Sequence, residues 1–315
     1  MANDFKGFLL VGMSALCFSM MSLFVKSCSL PSSQIVFIRS LFQTIISVVA
    51  CAKEGVNPLG KREFRGLLFL RGIFGALAVG CYFYGVRYGN LSDNTSVFFT
   101  APAMSTILAS IFLKDQMRLS TVVSILLCAV GTCLVAKPHF LFPNESEVNP
   151  GESLALIVSI IGSFLSAAAY LMISVIGTKA HHLCLVFYFG VLSSLVSVIP
   201  MAVFRPTIPG WEDTGYLLGV VVFAYSGQVT LNYGLQMTAN TATLIRNLDI
   251  VFAFIFSFFV FHERVSATSI IGAILICLGT GLIVLDKYQN RIPVDDLELP
   301  GSPTSPVKEP LLKKD

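Results

Sequence analysis

Apolar residues run along this chain in stretches of about twenty, broken by short polar or charged segments. A helix needs about 20 apolar residues to cross the roughly 30 Å hydrocarbon layer of a bilayer. That ruler marks ten spans, at 7–25, 34–52, 66–86, 94–113, 119–137, 153–176, 184–204, 214–236, 241–261 and 267–285. Lipid offers the backbone no hydrogen bonds, so runs of this length are expected to be helices. The first run ends at Lys26 without a small-residue cleavage pattern and reads as a retained helix.

The spans repeat. A shift of 148 residues lays Asp115 on Glu263, Gly131 on Gly279, Thr132 on Thr280 and Leu134 on Leu282, and the turn Lys114–Ser120 on His262–Thr268. The match fades toward the first helices of each half. Five spans per copy is an odd number, so the second copy must lie upside down. The expected architecture is an all-α membrane protein of ten transmembrane helices in two inverted five-helix repeats, an arrangement that places solute sites near the midplane. The divisions are 1–137 for the first repeat, 138–152 for a non-cytosolic loop, 153–286 for the second repeat and 287–315 for a cytosolic tail.

Composition agrees with a membrane protein. Hydrophobic residues make up 55% and charged residues 12% of 315, against about 25% charged in soluble domains. With the N-terminus inside, the cytosolic ends and loops hold Lys6, Lys53, Lys61, Arg62, Arg65, Lys114, Arg118, Lys179, Lys287 and Arg291. The other side holds Lys26, Arg87, Lys137, Arg205 and Arg264. Ten against five places both termini in the cytosol, without distinguishing plasma membrane from endomembrane. The outer loop then carries the sequon Asn144-Glu145-Ser146, whereas the sequons at Asn90 and Asn94 sit too near the membrane to favour modification. The tail, punctuated by Pro293, Pro300, Pro303, Pro306 and Pro310, lacks the apolar content to bury a core. Its Ser302-Pro303 and Ser305-Pro306 are compatible with phosphorylation and equally with an unregulated solvated tail.

A net charge of +3 without a basic arm argues against nucleic acid. Eight cysteines form no C-x-x-C pair, and the adjacent His181 and His182 fall in a connection, so no metal site or cofactor is expected. No nucleophile–base pair stands in the spans, which argues against an enzyme.

Four ionised side chains fall inside spans: Arg39, Arg71, Arg246 and Asp249. Each costs about 2.5–3.5 kcal/mol at mid-bilayer on insertion scales and so calls for a role. Arg39 lies one turn from Gln43. Arg71, Gly75, Ala78 and Tyr82 share one helical direction. Arg246 and Asp249, three apart, can pair. Three cations against one anion leave two positive charges for an anionic solute. The competing readings are that Arg39 and Arg71 snorkel to headgroups and that Arg246–Asp249 is a structural ion pair. In the eighth span Tyr225, Gln228, Asn232 and Gln236 align on one face, as a solute-facing wall or as interhelical glue. In the fourth, Asn94, Thr95, Ser96 and Thr100 precede Pro102, where a kink is expected. Small residues (Ser124, Cys128 and Thr132 in the fifth span; Gly272, Gly279 and Gly281 in the tenth) permit close helix approach, within the monomer or in a homodimer.

Five segments in order now carry a resemblance: Ser22-Leu23-Phe24-Val25-Lys26, the stretch Phe37 to Gln43, Leu70-Arg71-Gly72, the run Leu91 to Pro102, and Arg246 to Phe254. The chain resembles the EamA-type members of the drug/metabolite transporter superfamily, most closely the G-type branch of the solute carrier 35 family, over residues 5–286. The resemblance implies a cavity lined mainly by the third, fourth, eighth and ninth spans, opening alternately to each side, with Arg71, Tyr82, Asn232, Arg246 and Asp249 near the path. It implies export of organic anions, carboxylates such as citrate among them. Arg246 departs from the pattern, in which a lysine can stand, and this changes the hydrogen-bond geometry offered to the solute.

The expected function is therefore a secondary carrier of a small organic anion. Arg246 and Arg71 would attract it, while Asn232, Gln228 and Tyr82 orient it. Asp249 would position Arg246 or take a coupling proton, and Tyr225, Arg39, Gln43 and Thr100 complete the candidate set. The alternatives are a carrier of a neutral or aromatic metabolite and a non-transporting adaptor working through the tail.

Overall fold

The computed structural model describes residues 2–88, 94, 97–114, 117–136, 150–203, 206–238, 240–261 and 267–289. The loop with Asn144 and the tail with Ser302 and Ser305 lie outside the described residues. Among the described residues there are ten principal helices: α1 (Ala2–Ser27), α2 (Ser32–Lys53), α3 (Arg65–Tyr88), α4 (Ala101–Phe112), α5 (Leu119–Ala136), α6 (Pro150–Ile176), α7 (His182–Val203), α8 (Trp211–Met237), α9 (Leu248–Phe261) and α10 (Ala267–Gln289). Seven of them are long and apolar enough to cross a membrane.

The packing has the symmetry of a duplicated unit. α1 lies along α8 and α3 along α6; α2 pairs with α7 and α5 with α10; α4 packs on α6 and α9 on α1. Advancing every label by five exchanges the first two pairs, exchanges the last two, and maps α2–α7 and α5–α10 onto themselves. Such self-mapping is what two five-helix copies related by a two-fold axis produce, and an odd number of helices makes the copies antiparallel across the bilayer.

Two expected spans are not continuous helices. The fourth was expected over 94–113, but α4 begins only at Ala101, and Pro102 occupies its first turn. Helical backbone at 97–98 gives way to a turn at 99–100 before α4 resumes, and Pro102, with no N–H for the carbonyl four residues back, marks the break where a kink was expected. The ninth was expected over 241–261; its first part, Asn240–Asn247, is instead a 3₁₀ segment that leads into α9. Asn and Thr are weak helix formers, and Thr243 turns its hydroxyl out of the segment, to the Pro102 carbonyl. The two interruptions occupy corresponding positions of the two halves, and they touch. Thr243 Oγ1 donates to the Pro102 carbonyl at 3.2 Å and lies 3.4 Å from Thr106 Oγ1. Irregular backbone survives at membrane depth only when protein surrounds it, and Ala242, Thr243 and Leu244 are fully buried.

Gly131, Gly272 and Gly279 are used inside the monomer, while Gly281 faces open space. A Cβ added at Gly131 would meet the Gly272 carbonyl at 2.6 Å, and one at Gly279 the Ser124 carbonyl at 3.0 Å. α5 and α10 are therefore in backbone contact with each other.

Candidate solute site between two buried arginines

Arg71 does not reach the headgroups. It is 3% exposed, and its Nη2 donates to Asn232 Oδ1 at 3.2 Å and to Gln228 Oε1 at 3.4 Å. The guanidinium lies 5.1 Å from the centre of the Phe189 ring on α7, in a cation–π geometry. Gly75, one turn further along α3, makes the room: a Cβ there would stand 2.9 Å from Arg71 Nη1 and from the Phe189 ring. Asn232 is held in turn, donating through Nδ2 to the Gln228 carbonyl at 2.7 Å.

Arg246, the penultimate residue of the 3₁₀ segment, donates from Nη2 to Asp249 Oδ2 at 3.4 Å. Asp249 Oδ1 accepts from Ser19 Oγ at 2.6 Å, which ties α1 to the start of α9. The Arg246 guanidinium covers the Phe18 ring at 4.3 Å. The edge of that ring rests on α8, where a Cβ at Gly227 would meet it at 3.1 Å. Gly227 precedes Gln228, the partner of Arg71. The two cations thus flank one turn of α8, Arg246 across Phe18 and Arg71 on the amides.

Four buried donors in this pair have no acceptor among the described residues: Nε and Nη1 of Arg71, and Nε and Nη1 of Arg246. Leaving a buried donor unpaired costs about 1–3 kcal/mol, more for a charged group. Beneath both arginines, toward the end that carries the N-terminus, Val11, Leu68, Ile173, Leu231, Leu235 and Ile245 form an apolar core. On that side the site is closed.

The remaining candidates lie elsewhere. Tyr82 packs on Phe98 with ring centres 4.7 Å apart; it is about 16 Å along α3 from Arg71, by the rise of eleven residues. The shared direction predicted for Arg71 and Tyr82 does not bring them together. The eighth-span stripe also divides. Gln228 and Asn232 face Arg71, Tyr225 stands beside Ser47 of α2, and Gln236 donates to the Ala180 carbonyl at 2.9 Å. Four polar groups on one helical face meet three neighbours, because α8 crosses them at different heights. Gln43 donates to the Val186 carbonyl at 3.0 Å and joins α2 to α7. Arg39 is buried, 3.4 Å from Met21 Sδ, so it too is not at the headgroups. Thr100 Oγ1 meets Ser163 Oγ at 2.9 Å, joining the entry of α4 to α6.

Sequence reasoning missed Phe18, Ser19 and Phe189. A phenylalanine among 26, or a serine in an apolar run, carries no periodic signal. Only the fold puts a guanidinium on each ring.

Ten helices in two inverted halves, discontinuous at paired positions, with one cation at a discontinuity and another buried beside it, define a polytopic membrane transporter. The chain belongs to the EamA-like transporter family, which it matches twice, over residues 5–137 and 153–285. It is 28% identical over 295 residues to solute carrier family 35 member G1 of Homo sapiens, spanning 88% of this chain and 79% of that one. The likeness to the G-type branch rests on this relative and its mouse counterpart. The pseudopaline exporter CntI of Pseudomonas aeruginosa (strain UCBPP-PA14) is 27% identical, over 87% of this chain and 94% of its own. An S-adenosylmethionine uptake transporter of Rickettsia felis is 25% identical, over 82% and 84%. A solved crystal structure of a protein superposes with a TM-score of 0.71 at 14% identity, over 91% of this chain and 97% of the other; it shares the fold.

Proposed function

We propose that this transporter carries a small organic anion, a carboxylate, by alternating access. The observation that carries the reading is the set of four unpartnered guanidinium donors on Arg71 and Arg246. A carboxylate accepts through two oxygens and so can take single donors from separate guanidinium groups, and such charge-assisted bonds are the strong ones in a dry site. Gln228 and Asn232 hold Arg71 through Nη2 and leave Nε and Nη1, which point to different sides of the guanidinium, as single donors for the solute. Asp249 neutralises part of the Arg246 charge and fixes its direction, itself fixed by Ser19. Among the described residues the fully or nearly buried formal charges are Arg39, Arg71 and Asp249, with Arg246 next, so the site favours an anion over a cation.

The rings of Phe18 and Phe189 support this reading over an aromatic metabolite, because each is already covered by a guanidinium. With Asp249 committed to Arg246 and Ser19, uniport or exchange fits better than a proton relay. Both termini are assigned to the cytosol on the distribution of Lys and Arg, and the apolar core under the arginines then closes the cytosolic side. The test is a radiolabelled uptake and efflux screen in proteoliposomes across carboxylates, nucleotide sugars and amino acids. Saturable flux confined to carboxylates supports the proposal; saturable flux of a neutral or cationic solute, with carboxylates inert, overturns it.

A further inference from the structure

A cavity of about 460 Å³ lies apart from the arginine pair, between α2, α3 and α7. α7 forms its floor, since both α2 and α3 pack on α7. The cavity follows α3 from Ala76 to Tyr88, a length of about 18 Å at the helical rise, and ends at the level of Ser32 and Ser33, where α2 begins. Ser32, Ser33 and Tyr88 put hydroxyls at the outer end, beside the connection from α1 to α2. Further in, Ala76 and Gly80 on α3 lie opposite Val196 and Pro200 on α7, and Ser193 and Ser197 line the same stretch with hydroxyls already bonded, to Ser40 Oγ and to the Ser193 carbonyl. None of the lining residues is charged. Tyr84 and Tyr88 are 37% and 48% exposed, lie with ring centres 4.7 Å apart and planes tilted by 42°, and line the cavity. Amphipathic rings in such positions mark the boundary between headgroups and hydrocarbon.

A volume of this size, apolar with a few convergent polar groups, is that of a small-molecule site. Its contents must come from the bilayer, because the helix faces beside it, with Leu77 on α3 and Leu195 and Ile199 on α7, are exposed and apolar. A phosphate head would need a cation, and the described lining residues include none. A wall of small residues suits a rigid ring system better than flexible chains, and hydroxyls at the mouth suit a hydroxyl head. We infer that this cavity binds a neutral membrane lipid with a rigid ring body and a single hydroxyl head, of the sterol class, with its hydroxyl among Ser32, Ser33 and Tyr88.

The inference does not depend on which solute the protein carries, because it is read by binding. Full-length protein in phosphatidylcholine nanodiscs would be labelled with a photoreactive sterol, and the labelled peptides identified. Gly80 offers a clean perturbation: a Cβ there meets only Val196 Cγ1, at 3.6 Å, an ordinary contact. Gly80→Ala should leave labelling of the α3 and α7 walls unchanged, and Gly80→Leu should lower it about ten-fold. Val196→Phe, which fills the cavity from the facing wall, should do the same. Leu126→Phe, on an exposed face of α5, should have no effect. Unlabelled sterol should compete and phosphatidylserine should not. Labelling that survives both Gly80→Leu and Val196→Phe in monodisperse protein, or that phospholipid displaces as well as sterol does, would overturn the inference.

Discussion

Gly75 offers the sharpest test of how Arg71 is held. In Gly75→Ala the new Cβ would stand 2.9 Å from Arg71 Nη1 and 2.9 Å from the Phe189 ring, closer than such atoms tolerate. The α3 backbone need not move, because both obstructions are side chains, the far end of Arg71 and the Phe189 ring. The guanidinium therefore swings off Phe189, and its bonds to Asn232 and Gln228, already 3.2 and 3.4 Å long, are lost or lengthened. A hydrogen bond to a charged group contributes about 1.5–3 kcal/mol, which corresponds to roughly 10–150-fold in affinity. Stability should barely change, because alanine in place of glycine favours a helix by about 1 kcal/mol and offsets the local crowding. The assay is concentration-dependent carboxylate flux into proteoliposomes, with a thermal melt in detergent as the control. The expected result is a KM raised at least ten-fold with an unchanged melting temperature. An unchanged KM would refute the view that Arg71 must keep this position to meet the solute.

Other consequences concern the second cation and the scaffold. Arg246→Ala should abolish flux at normal surface expression, while Arg246→Lys should retain part of it, since charge survives but the planar donor edge does not. Ser19→Ala frees Asp249 Oδ1 and should weaken transport by about ten-fold, the scale of one charge-assisted bond, measured as KM in the same assay. At the end of the bundle that carries the N-terminus, Glu54 of the first half meets His181 of the second at 3.2 Å. Glu54→Gln should alter the rate of solute exchange and leave equilibrium affinity within two-fold, as separate flux and binding titrations would show. Gly131→Leu should prevent accumulation of folded protein, because its side chain would enter the Gly272 backbone; fluorescence-detected size exclusion reads that directly.

The helices were legible because each crossing leaves about twenty apolar residues in a row, and the inversion because the repeat unit is odd. The discontinuities were harder to see. Residues 241–247 hold no glycine or proline to mark a break, and only the contact with the start of α4 shows where they tighten into a 3₁₀ segment. Arg246 and Asp249 were legible as a pair from their spacing. Arg71 was visible as a buried charge, but neither its acceptors on α8 nor its seat on Phe189 can be read from α3. Tyr82 illustrates the limit of periodicity: a common direction on a helix says nothing of the height at which a neighbour crosses.

The central claim is that two buried arginines read negative charge on the solute. A counterflow experiment with a matched pair, a small dicarboxylate and its diamide of the same shape, tests it most directly. Wild-type protein should exchange the diacid and ignore the diamide, and Arg71→Ala and Arg246→Ala should each lose the diacid while remaining folded. Equal exchange of diacid and diamide, or diacid exchange that survives both substitutions, would contradict the account.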